Sequence, residues 1–196
     1  PGDATSHIAL ARLRGATGGA EAAEETLRAG IAETGSPDLR FSLGGLLERR
    51  GDLEGAIAEY RAVHEARPDF DAAANNLASL IADTDAGEAE IAEAARIARR
   101  LRDSEIPHFR DTYGWLLHRQ GDHEGALRVL EPTAEALPQH PVVRYHLGAV
   151  LAALGQTGRA REELARAIEL AGERPLPQIE RARALLDDLP RREGGE

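Results

Sequence analysis

Cysteine, methionine and lysine are all absent from these 196 residues. Without Cys there can be neither a disulfide nor a thiolate metal site. Without Lys there is no amine for Schiff-base chemistry or for a phosphate-cradling P-loop. Aromatic residues make up 4% of the chain, with a single Trp. No apolar run approaches the roughly 20 residues that a membrane-spanning helix requires. A block of positive charge is missing too: the formal net charge is −10, and most arginines alternate with glutamates. Such mixing marks solvated helix faces. Because phosphate contacts dominate nucleic-acid affinity, nucleic acid is not an expected partner. The opening Pro1-Gly2-Asp3 carries neither an initiator Met nor a signal-like segment, so the chain reads as processed or as a piece of something longer.

What the sequence does contain is a repeat. Small residues that each follow a larger apolar one stand at Leu10-Ala11, Leu43-Gly44, Leu77-Ala78, Tyr113-Gly114 and Leu147-Gly148. The small positions step by 33, 34, 36 and 34 residues, a period that signals a stacked array. Twelve positions past four of them comes Ala23, Ala56, Ala126 or Ala160; in the third segment the matching residue is Ala94. Both halves of each unit have helical periodicity. In the fourth, Phe109, Tyr113, Leu116 and Leu117 make one stripe and Ala126, Leu127, Leu130 and Ala134 another, with Gln120-Gly121-Asp122 as the turn between them. Pro37, Pro107 and Pro141 stand at helix starts, where a missing N–H costs nothing, while Pro68 and Pro138 close units. Small residues at fixed places let two helices approach closely. A single helix pair cannot bury its apolar face alone, so the pairs must stack.

On these residues the chain resembles the tetratricopeptide repeat family, whose pattern runs W-x2-L-G-x2-Y, A-x3-F and P. The second unit has Leu43-Gly44-x2-Leu47, Ala56-x3-Tyr60 and Pro68; the fourth has Tyr113-Gly114-x2-Leu117, Ala126-x3-Leu130 and Pro138. The fifth has Leu147-Gly148-x2-Leu151 and Ala160-x3-Leu164, with Gly172 in the proline place, and the first departs most, with Arg14 where an apolar residue is expected. The resemblance implies an all-α fold: a right-handed superhelix of stacked antiparallel helix pairs. The expected units span residues 4–36, 37–70, 71–106, 107–140 and 141–172, followed by a capping helix over 173–190 and a frayed tail over 191–196. The third unit carries about four extra residues in its turn, Asp83-Thr84-Asp85-Ala86-Gly87-Glu88. In the capping segment, Ile179, Ala182, Leu185, Leu186 and Leu189 share one face, with Glu180, Arg181, Arg183 and Asp187 opposite.

The same resemblance implies that the first helix of each pair lines a concave groove that binds peptides or protein segments. Positions one turn off the core stripe are the candidates. They include Phe41, Gly45, Glu48 and Arg49; Asn75, Asn76, Ser79 and Asp83; His108, Asp111, Trp115, His118 and Arg119; and Tyr145, His146, Ala149 and Ala152. Asp111, Trp115 and His118 share a face by their i, i+4, i+7 spacing, and Trp115 there is either a groove anchor or part of the groove wall. Asn75-Asn76 is an unfavourable pair for a helix interior, and one of the two is expected to contact a ligand backbone. The strongest candidates are Phe41, Asn75, Asn76, Asp111, Trp115, His118, Arg119, Tyr145 and His146. The positions at which some family members clamp a terminal carboxylate read Phe41, Gly45, Asn76, His108 and Thr112 here, and only Asn76 matches. Asp83, Asp111 and Glu48 predict a partly acidic groove with Arg49 and Arg119 along one edge, suited to a basic or mixed-charge ligand rather than an acidic tail.

Enzyme signatures are lacking: there is no HExxH pair, no Gly-rich phosphate loop and no G-x-S-x-G turn. His118, Asp111 and His146 are the one conceivable acid–base or metal set, against the plainer reading of hydrogen-bonded groove histidines. The expectation is therefore a non-catalytic interaction scaffold without cofactor or metal, with self-association through the repeat ends as a further possibility. The alternatives are a regulatory or substrate-presenting segment of a larger enzyme, or an envelope-export assembly factor. The latter rests on NNLASLIAD and DTYGWLLHRQGD, which look like repeats of bacterial envelope proteins. The compartment, bacterial cytoplasm or periplasm, is left open.

Overall fold

The computed structural model describes residues 3–190, and no strand occurs among them. The chain divides into two compact units, one ending at Asp85 and the other beginning at Ala86. The division falls inside the lengthened turn of the third predicted pair.

The first unit holds α1 (Ala4–Thr34), α2 (Pro37–Arg49), α3 (Leu53–Ala66) and α4 (Asp71–Asp83). Asp3 starts α1 by accepting the Ser6 backbone N–H at 2.7 Å, which satisfies one of the orphan donors of a first turn. Gly19, at φ 88° and ψ 178°, breaks α1 into two helical halves. They pack closely at Gly30, where a Cβ would come within 2.8 Å of the His7 ring and 2.9 Å of Leu39. Arg14, which interrupts the sequence pattern, is exposed and donates to the Thr26 hydroxyl at 3.2 Å. Leu10 and Leu13 are 39% and 61% exposed. Between α2 and α3 the chain turns on Gly51, at φ 80°, and Asp52 then caps α3 by accepting the Gly55 N–H at 3.0 Å. Only Gly adopts such a φ without strain. Leu39, Leu43, Leu47, Ala56, Tyr60, Val63 and Leu77 form the buried interior.

The second unit holds α5 (Glu88–Ala98) with a 3-10 turn at Arg99–Leu101, then α6 (Pro107–Arg119), α7 (His123–Ala136), α8 (Pro141–Ala153), α9 (Thr157–Ala171) and α10 (Pro177–Asp188). The α6–α7 turn repeats the α2–α3 solution: Gly121 has φ 85° and Asp122 accepts the Gly125 N–H at 2.8 Å. Ala126, Leu130, Ala134, Val143, Leu147, Val150, Leu151 and Ala160 form one buried cluster across α7, α8 and α9.

The regular small residues are packing points. A Cβ on Gly44 would meet the Tyr60 ring at 2.7 Å; on Gly114 or Gly148 it would meet Leu130 or Leu164 at 2.8 Å. The partner lies sixteen positions along the chain in all three cases, so the same helix-to-helix contact recurs. α10 packs against α8 and α9, burying Ile179 and Ala182 and exposing Glu180, Arg181, Arg183 and Asp187. The Arg161 guanidinium donates to the Leu186 and Leu189 carbonyls at 3.0 and 3.1 Å, closing the end of that helix. The architecture is the all-α stack of helix pairs that the repeat pattern predicts. The tail at 191–196 lies outside the described residues. Among those described, no helix is long and apolar enough to cross a membrane.

Candidate functional site

The sequence-derived candidates separate into two places, one in each unit. In the first unit, a cleft of about 780 Å³ is lined from α1, α2, α3 and α4. α1 contributes Ile8, Ala11, Arg12 and Gly15 from its first half, at i, i+3, i+4 and i+7 on one helical face, and Ala20, Ala23 and Leu27 from its second half. α2 contributes Phe41, Ser42, Gly45, Leu46, Glu48 and Arg49, α3 contributes Tyr60, and α4 contributes Asn76.

Phe41 is held against Tyr60 and Phe70, with ring centroids 5.6 and 4.9 Å apart. Tyr60 is buried and donates its hydroxyl to Glu48 at 3.0 Å. Burial pushes the Tyr60 hydroxyl up from its ordinary range, opposed by a hydrogen bond with Asn76. The two asparagines thus part company. Asn76 faces the cleft, whereas Asn75 is not among its lining residues and donates to the Asn76 side-chain oxygen at 3.4 Å. Ile8, Arg12 and Tyr60 were missed from sequence. The 8/11/12/15 spacing was a legible signal for the first two, but it sits in the unit that departs most from the repeat pattern.

In the second unit, Asp111, Trp115, His118, Tyr145 and His146 meet, but as an interior. Trp115 and Tyr145 are each 5% exposed and His146 is 4% exposed. The indole stacks with two imidazoles, His146 at 4.3 Å and 13° and His118 at 4.9 Å and 14°, with Tyr145 tilted beside it at 5.5 Å. His146 Nδ1 lies 3.0 and 3.1 Å from the two Asp111 oxygens, so the Nδ1–H donates to the carboxylate. Trp115 is therefore buried among these side chains and presents little surface. Its Nε1 and the Nε2 of His146 are buried without a hydrogen-bond partner among the described residues.

His118 Nδ1 and His123 Nδ1 are 3.1 Å apart, so one ring donates and the other accepts. Burial first, and then electrostatic repulsion from His123, His146 and Arg119, push the His118 ring down to about 4. Burial and the nearby His108 likewise lower His140, whose ring meets His108 edge-on at 5.0 Å. Arg119 is half-buried at the end of α6. Among the described residues no group of three His, Asp or Glu side chains is placed to hold a metal ion.

In the first unit the cleft's charged lining is Glu48 with Arg12 and Arg49, less acidic than the sequence expectation. Asp83 is not among the cleft's lining residues, and Glu48 accepts the Tyr60 hydroxyl. In the second unit Asp111 is turned inward onto His146. The sequence reading counted charges by helical face. It could not see which carboxylates would be taken up by neighbouring donors.

Tetratricopeptide repeat models match residues 8–69 and 117–178. A TPR repeat-containing protein of Pseudomonas aeruginosa is 32% identical over 111 residues, which is 57% of this chain and 18% of that protein. This chain thus spans less than a fifth of that relative's length. Among solved structures, MamA of Desulfovibrio magneticus superposes with a TM-score of 0.69 at 16% identity, over 89% of this chain and 99% of that one. YrrB, described as a TPR protein with an unusual peptide-binding site, gives 0.67 at 17% identity, over 93% and 92%. A thermophilic TPR protein of Thermus thermophilus gives 0.63 at 17% identity, over 93% and 98%. At these identities the likeness is one of fold.

Proposed function

Since the chain belongs to the tetratricopeptide repeat family, a fold that generally serves protein–protein interaction, we propose that it is a non-catalytic scaffold whose first unit binds a peptide or protein segment in the α1–α4 cleft. The observation that carries this reading is the cleft itself. Its volume of about 780 Å³ lies in the range of ligand sites, and apolar walls alternate there with a few polar groups. Ile8, Ala11, Leu27, Phe41 and Leu46 supply apolar area, while the Asn76 amide keeps hydrogen-bonding capacity for a peptide backbone beyond its bonds to Tyr60 and Asn75. The walls are packed helices, so little conformational freedom is lost when a segment enters.

Trp115, Tyr145, Asp111, His118 and His146 have a different part in this reading. They stiffen the second unit and do not touch the ligand. Binding is tested with a peptide-display selection against the whole chain, followed by affinity measurements on Phe41→Ala and Gly45→Leu. The first removes a hydrophobic wall and the second fills the space beside it. Each is expected to weaken selected peptides by about tenfold, the scale of a single interface hot spot, with the helical circular dichroism kept. If both variants bind the selected peptides as the parent does, the cleft is not the binding site.

A further inference from the structure

Resting on that reading, the geometry points to a ligand class: we infer that the cleft selects an extended segment carrying side-chain carboxylates, held by Arg12 and Arg49 beside an apolar residue seated against Phe41. The observation is an imbalance in how the arginines of the first unit are used. Arg28 pairs with Glu24, Arg40 with Glu59, Arg50 with Glu21 and Glu24, and Arg67 with Asp38. Arg14 is bonded to Thr26, and Arg61 is engaged as well. Arg12 and Arg49 have neither an ion pair nor a hydrogen bond among the described residues, and both line the cleft.

Among the arginines of the first unit these two are the exceptions. With 34 acidic side chains against 24 basic ones, a carboxylate is rarely far from a guanidinium. The remaining charge in the lining, Glu48, accepts the Tyr60 hydroxyl at 3.0 Å. The cleft therefore presents two guanidinium groups and one occupied carboxylate, a local excess of positive charge on a protein of net charge −10.

Guanidinium forks match carboxylate geometry, and such charge-assisted bonds are stronger than neutral ones. The rest of the protein's charge repels an acidic ligand, but at physiological salt it is screened beyond about 8 Å. Selection then falls to the two groups within hydrogen-bond reach. Arg12 comes from α1 and Arg49 from the last turn of α2, so they approach the ligand from different walls. That arrangement suits separate side-chain carboxylates along an extended strand, with the remaining hydrogen-bonding capacity of the Asn76 amide facing the backbone between them.

The test uses the whole chain and three peptide libraries with acetylated and amidated ends, so that no terminal carboxylate is present. Each library fixes an apolar residue between two invariant positions: Glu in the first, Gln in the second, Lys in the third. The expected result is that the Glu library binds at least about tenfold more tightly than the Gln library. Arg12→Gln and Arg49→Gln should each abolish most of that preference, and the double variant Arg12→Glu/Arg49→Glu should turn it towards the Lys library. Equal binding of Glu and Gln libraries by the parent chain, or a Glu preference that survives both Gln variants, overturns the acidic-segment inference. Either result leaves the cleft standing as a binding site if Phe41→Ala still weakens the peptides. If no library binds in a Phe41-dependent way, the proposed function fails together with the inference.

Discussion

Asp111 and His146 sit a repeat apart in sequence, and neither is apolar, yet both are interior. Their pairing makes that possible, because a buried polar group is costly unless it is hydrogen-bonded. The stacked Trp115 then covers the imidazole that the carboxylate orients. Removing the acceptor should leave the Nδ1–H buried and unmet. Asp111→Ala is expected to cost about 1–3 kcal/mol in urea unfolding, and Asp111→Asn, which keeps an acceptor, clearly less. Equal losses in the two variants would show that the site depends on side-chain volume and not on the bond. The sequence spacing brought out Asp111, Trp115 and His118 as a group. It could not show that the group faces inward, because helical periodicity defines faces but not what covers them.

At the scale of the helix, the repeated small residues separate into two kinds that look alike in sequence. Gly44 and Gly45 are neighbours on α2. A Cβ on Gly44 would strike the Tyr60 ring at 2.7 Å, whereas one on Gly45 meets only ordinary contacts at 3.5 Å. Replacing a mid-helix Gly by Ala otherwise stabilises by about 0.5–1 kcal/mol through backbone entropy. Gly45→Ala is therefore expected to raise the unfolding midpoint. Gly44→Ala should lower it, since forcing volume into a packed contact costs about 1–3 kcal/mol. Gly114→Ala and Gly148→Ala should follow Gly44, given their 2.8 Å approaches to Leu130 and Leu164. A matching gain at Gly44 and Gly45 would refute the recurring close contact.

Over the whole molecule, the histidines are distributed unevenly. Of the seven, His108, His118, His123, His140 and His146 belong to the second unit, and His7 and His64 to the first. His118 is held down to about 4 and His140 is lowered, so folding favours the neutral form of both. The unfolded chain takes up those protons once the pH falls below about 6.5. The stability that His118 contributes is thus fully present above that value and is lost progressively as the pH falls towards about 4, and His140 acts in the same direction. Hydrogen exchange at pH 7 and pH 5, corrected for intrinsic rates, should show protection falling in residues 86–190 while residues 3–85 change little. The acid loss should shrink in His118→Phe. A uniform loss across both units would assign the sensitivity to carboxylates instead.

The sequence by itself determined the helices, their pairing grammar and the repeat period. Those follow from local causes: apolar spacing along a helix, glycine where φ must be positive, Asp at a cap, and proline where no N–H is needed. It also determined which positions the grammar leaves free, among them Phe41, Arg49 and Asn76. Only the tertiary structure decided how those free positions are used. Asn76 lines the cleft and Asn75 does not; Trp115 stacks with two imidazoles; Glu48 accepts the Tyr60 hydroxyl, while Arg12 and Arg49 have neither an ion pair nor a hydrogen bond among the described residues. Whether a side chain is covered, paired or available depends on residues a helix or a repeat away, and periodicity within one helix carries no record of them.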